Sequence, residues 1–166
     1  ILRFLGYNNY KDFYSSGEIH FLRKVCRENP RICLDIGANI GKYSSYLLEN
    51  SSAKIIAFEP MPKTFNELIK LKKKYPNRFF INQMGLGQKK AQKVIYFDKD
   101  NLQWANFNSE VNKIDYLKNN KKKIMCSLDT LDNFIKRNKK IINSKIDLIK
   151  IDTEGFELEV LRGAEK

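Results

Sequence analysis

Three carboxylates hold places where an α/β protein does chemistry. Asp152 and Glu154 follow the mostly apolar stretch 146–151, and Glu59 follows the apolar run Lys54–Phe58. In open α/β sheets, ligands bind outside the carboxyl ends of the strands. Asp152 and Glu154 therefore qualify as general base, acceptor ligand or metal ligand. The plainer reading is a capping acid followed by a first-turn acid, which a helix dipole alone would favour. A base must come within about 3 Å of the proton it removes. His20 is the sole histidine, and its position on a helical stretch with no partner in view favours an ordinary surface role.

A second group sits at Ile32-Cys33-Leu34-Asp35-Ile36-Gly37-Ala38-Asn39-Ile40-Gly41. The apolar run reads as a buried parallel strand. The glycines let backbone approach a ligand, and the helix behind them directs free N–H groups toward it. This is a nucleotide-binding corner. Its spacing is D-x-G-x-N-x-G rather than the dinucleotide fingerprint G-x-G-x-x-G, because Asn39 and Lys42 stand where that fingerprint needs glycine. A dehydrogenase reading is disfavoured accordingly. Glu59 lies about 20 residues beyond the turn, the expected place for an acid that accepts from ribose hydroxyls.

The blocks Asp35-Ile36-Gly37-Ala38-Asn39-Ile40-Gly41, Phe58-Glu59-Pro60-Met61-Pro62 and Ile149-Lys150-Ile151-Asp152-Thr153-Glu154-Gly155-Phe156-Glu157 occur in that order. Together they resemble the FkbM-type family of class I S-adenosylmethionine-dependent methyltransferases, over roughly residues 17–166. The resemblance implies a Rossmann-like, doubly wound, mostly parallel α/β sheet. It implies S-adenosylmethionine as cofactor, held by Asp35, Gly37, Ala38, Asn39, Gly41, Glu59 and Pro60, with Met84 and Gly85 approaching the adenine. The acceptor it suggests is a hydroxyl of a sugar, glycolipid or related small metabolite. It also implies strand order 3-2-1-4-5-7-6. On that count the chain reads as a fragment ending after the fourth core strand and its helix, whose activity alone is open. Residues 1–30 are an N-terminal segment and helix, and 31–166 the methyltransferase domain.

Composition sets wider bounds. The chain has 166 residues, 42% hydrophobic and 30% charged, which suits one globular domain. It shows no apolar run of the roughly 20 residues needed for a membrane span. Cys26, Cys33 and Cys126 have no metal-ligand spacing and suit reduced thiols in the cytoplasm. The net charge of +12 invites an anionic partner, but the lysines are scattered and not interleaved with aromatics, which favours a solvated surface. A nucleic-acid methyltransferase is thus a weaker alternative. Base-modifying enzymes commonly carry Asn/Asp-Pro-Pro-Tyr/Phe after the fourth strand, where this chain has Asp152-Thr153-Glu154-Gly155. A nucleotide-binding module without activity is the other alternative.

Periodicity predicts helices over 17–27, 40–48, 62–75, 129–138 and 155–163, and strands over 32–36, 54–58, 78–82 and 146–151. Phe65, Leu68 and Ile69 are expected to face inward, and Ser127 or Asp129 to cap the fourth helix. Short strands at 94–97 and 124–127 either pair or extend the sheet edge. Between them, Asp98–Lys123 carries Trp104 and Phe107 and reads as a flap or a packed excursion. Along the fourth core strand Lys150 and Asp152 share one face and Ile149 and Ile151 the other. A lysine there needs a partner, and Asp35, Asp152 and Glu154 are the candidates.

Overall fold

Alternation along the central strands sorts their residues onto two faces, and each face becomes a core. A computed structural model describes residues 17–98 and 121–166. In it β1 (Ile32–Ile36), β2 (Lys54–Phe58), β3 (Phe79–Asn82) and β7 (Leu148–Ile151) form a parallel sheet in the order β3-β2-β1-β7. All five residues of β1 are buried, as expected of a parallel strand covered on both sides. Cys33, Ile55 and Ala57 meet α1 (Gly17–Arg27), α2 (Lys42–Asn50) and α3 (Pro62–Lys74) through Leu22, Leu47, Leu48 and Leu68. Ile32, Leu34, Ile36, Ile56 and Phe58 meet α4 (Leu131–Arg137) and α5 (Glu157–Arg162) through Leu131, Phe134 and Val160. The fold is α/β, with helices on both faces of a parallel sheet.

The stretches read as two short strands pair antiparallel and are longer than expected. β5 (Ala91–Asp98) runs against β6 (Lys121–Asp129), and β4 (Gly85–Leu86) adds to β6 in parallel. They make a second sheet, β4-β6-β5. Its inner face sets Ile95, Cys126 and Leu128 against Met61 and Phe156, roofing the carboxyl ends of the parallel strands.

Several local expectations are corrected. Helix α2 begins at Lys42 rather than 40, because Gly41, at φ 82°, occupies its N-cap. Helix α4 is capped by Thr130, whose hydroxyl accepts from the Asn133 N–H; Asp129 instead accepts from the Thr130 N–H and pairs with Arg137. Ile69 is exposed, and Thr64 takes the inward place on α3. The aromatic residues before 17, and Trp104 and Phe107, lie outside the described residues.

Candidate functional site

The turn after β1 is clamped by the strand beside it. The N–H groups of Gly37 and Ala38 both donate to the Phe58 carbonyl, each at 3.0 Å. One residue on, the Asn39 N–H donates to Glu59 Oε2 at 2.8 Å, while Glu59 Oε1 accepts from the Met61 N–H at 2.9 Å. Glu59 is thus fixed by two backbone donors, and each oxygen keeps further acceptor capacity. Only 6% of the residue is exposed. Burial pushes its carboxyl above the ordinary value, against the opposing pull of the Met61 and Asn39 N–H groups and the Lys150 charge.

Gly37 has φ 77°, and a Cβ there would lie 2.0 Å from the Asp152 carbonyl oxygen. No other residue fits, because the turn and the end of β7 touch backbone to backbone. The Asp152 N–H completes the seam by donating to the Ile36 carbonyl at 3.0 Å. The chain then folds sharply. Glu154 has φ 52° and Gly155 φ 91°. Glu157 holds this bend, its Oε1 accepting from the N–H groups of Thr153 and Gly155 and from the Thr153 hydroxyl. Both Asn39, at φ 51°, and Glu154 occupy the left-handed region at the site, which asparagine tolerates and glutamate adopts only at a cost.

These elements line a cleft that opens to solvent. Gly37, Asn39, Glu59, Asp152, Thr153 and Glu154 make its polar side, and Phe58, Met61, Met84, Leu86 and Ile95 its apolar side. Of the expected residues, Gly37, Asn39, Glu59, Pro60, Met84, Gly85, Asp152 and Glu154 all line it. Three do not. Asp35 is fully buried beneath the turn, where Oδ2 accepts from the Ser44 hydroxyl at 2.6 Å. Ala38 lines a neighbouring depression with Lys42 and Tyr43. Gly41 faces α3, where a Cβ would lie 2.7 Å from Leu68 Cδ2. His20 is exposed on α1, away from the cleft.

Lys150 meets two of its three expected partners. Its Nζ donates to the Gly37 carbonyl at 2.7 Å and lies 3.1 Å from Asp35 Oδ1 and 3.5 Å from Asp152 Oδ2. The approach to Asp35 Oδ1 lies outside hydrogen-bond geometry, so charge rather than a directed bond holds that contact. Thr64, Ile95 and Glu157 were not anticipated. For Glu157 a signal existed, since its four-residue spacing from Thr153 suits a side chain reaching back over a helix start. Ile95 had none, because its place depends on the pairing of β5 with β6.

The methyltransferase FkbM domain model matches residues 35–166. The chain belongs to the FkbM methyltransferase family. No curated protein matches it in sequence. Among solved structures it is similar to P. horikoshii TYW2 in complex with MeSAdo, at 24% identity over 45% of this chain and 30% of that one, with a TM-score of 0.37. It is also similar to an rRNA methylase from Streptococcus thermophilus, at 17% identity over 40% of this chain and 39% of that one, with a TM-score of 0.34. The FkbM-type chain therefore spans 30% to 39% of the length of these two structures. Among the described residues no helix is long and apolar enough to cross a membrane.

Proposed function

We propose that the chain is an S-adenosylmethionine-dependent O-methyltransferase domain whose acceptor is a hydroxyl of a sugar, glycolipid or related small metabolite. Family membership supports methyl transfer. The observation that carries the cofactor reading is Glu59, a buried carboxylate locked by the Asn39 and Met61 N–H groups between a glycine turn and an apolar wall. A nucleoside needs this pairing: an acceptor for its ribose hydroxyls beside a surface for its base. In this reading Glu59 holds the ribose, Gly37 and Asn39 hold the adjoining chain, and Met84 and Gly85 border the base. Asp35, Ala38 and Gly41 act from behind by shaping the turn.

When bound, the cofactor supplies a methyl group already activated by its sulfonium. The domain has to align the acceptor oxygen for in-line attack and remove its proton. For the acceptor oxygen to take that methyl group, its hydroxyl proton would pass to a carboxylate of this chain. Glu154 suits that role better than Asp152. Burial and the charges of Asp152 and Glu157 push its carboxyl above the ordinary value, which makes it a stronger base than an ordinary glutamate. In this reading Asp152, 3.5 Å from Lys150, orients the acceptor. We assign the domain to residues 31–166, in the cytoplasm and in polysaccharide biosynthesis or a related pathway.

The test is calorimetric titration with S-adenosylhomocysteine, beside a Glu59→Ala variant. Binding by the parent chain that weakens at least tenfold in the variant, as expected for losing a charged hydrogen-bond partner, supports the reading. A folded parent chain that does not bind overturns it.

A further inference from the structure

The geometry points to Lys150 as a positioning residue. Its ammonium locks the Gly37 carbonyl, and so sets the turn that receives the cofactor, while holding Asp152 at the acceptor side of the same cleft. This rests on the cofactor reading above.

Three successive N–H groups of the turn are engaged on the β2 side. The Gly37 and Ala38 N–H groups go to Phe58 and the Asn39 N–H to Glu59. The Gly37 carbonyl points the other way, toward β7, and Lys150 takes it at 2.7 Å. The turn is therefore gripped from both neighbouring strands. The β7 grip joins residues 113 apart in the chain.

An ammonium carries three donors and no acceptor, and three oxygens surround this one: Gly37 O, Asp35 Oδ1 and Asp152 Oδ2. The side chain is 16% exposed, Asp35 is fully buried, and Asp152 is 63% exposed at the cleft. Tyr43 closes the remaining side, its ring centroid 5.9 Å from Nζ. The lysine thus runs from a buried acid, past the turn, to a solvent-facing acid. A core ion pair alone would need only Asp35. Contacts with the turn carbonyl and with Asp152 give the same charge a second task, which is to keep the two halves of the cleft in register.

The test compares S-adenosylhomocysteine affinity, by calorimetry, in the parent chain, Lys150→Met and Lys150→Gln, at a temperature where circular dichroism shows each folded. Losing a charged donor to the turn is expected to weaken binding by about tenfold to a hundredfold in Lys150→Met. Lys150→Gln retains N–H donors and recovers part of the loss, which a purely packing role would not produce. Lys150→Met leaves Asp35 buried without its partner, a strongly destabilising change. The substitution is therefore also made in an Asp35→Asn background and compared with Asp35→Asn alone. Weaker binding in the double variant supports the proposal. Parent-like affinity in a folded Lys150→Met chain, or no difference within the Asp35→Asn pair, overturns it while leaving the cofactor reading intact. Absence of binding by the folded parent chain overturns both.

Discussion

Asn39 and Glu59 lie twenty residues apart in the chain, yet the Asn39 N–H meets Glu59 Oε2 at 2.8 Å. This bond joins the turn after β1 to the end of β2, and the second oxygen of the same carboxylate takes the Met61 N–H. Glu59→Ala leaves both donors without their partner inside the structure. Each such loss costs about 1–3 kcal/mol when the donor stays buried, and relief of the buried charge offsets part of it. The expected net loss is about 1–3 kcal/mol, read as a lower urea midpoint with an unchanged denaturant slope. An unchanged midpoint would mean that water replaces the carboxylate at no cost.

Gly37 and Gly155 both have positive φ, but their surroundings differ. A Cβ at Gly37 would sit 2.0 Å from the Asp152 carbonyl oxygen, whereas at Gly155 nothing lies within 4 Å. Gly155→Ala should cost only the backbone term, about 1–2 kcal/mol. Gly37→Ala adds a clash between β1 and β7 that no side-chain rotation relieves. It should lower the melting temperature well beyond Gly155→Ala or prevent folding. Equal melting temperatures for the two variants would contradict the backbone contact between Gly37 and Asp152.

How much of this was legible beforehand differs between the two sheets. Ile32–Ile36 and Lys54–Phe58 announce themselves as near-continuous apolar runs, and the strands were expected where they occur. The second sheet was harder to see. β4 is only Gly85–Leu86, too short for any periodicity, and lysines extend β6 past its apolar centre. Its inner residue Ile95 nonetheless lines the cleft. The carboxylates at the strand ends were legible because strand polarity alone puts them there. The grip of Glu157 on the bend at Thr153 and Gly155 is a tertiary detail that depends on φ values no pattern displays.

Two buried acids should respond to pH with opposite signs. Burial acts to raise the Asp129 carboxyl, but Arg137, the Thr130 N–H and Asn133 together hold it below its ordinary 3.8. Its stabilising contribution is therefore present above pH 3.8 and is lost as pH falls through the lower folded value. Glu59 is raised from 4.5 by burial. Its contribution is fully present below 4.5 and is lost as pH rises through the higher folded value. In thermal melts across the acid range, the stability gap between the parent chain and Asp129→Asn should shrink on acidification, and that to Glu59→Gln should grow. Two gaps that move together would contradict the opposed environments.

Glu154 gives the most direct reading of the site's electrostatics, since it can be followed without an acceptor. Its carboxyl is raised from 4.5 first by burial and then by the charges of Asp152 and Glu157, with Lys150 opposing. Removing one like charge should lower the value without restoring it fully, because the burial contribution persists. Asp152→Asn is therefore expected to bring the Glu154 titration, followed by carboxyl-carbon NMR, part of the way back toward 4.5. Glu157→Gln should do likewise, with an added complication: it also disturbs the Thr153 and Gly155 N–H groups that shape the bend. A Glu154 titration unmoved by Asp152→Asn would separate the two carboxylates electrostatically. The assignment of base to one and orienting group to the other would then lose its physical basis.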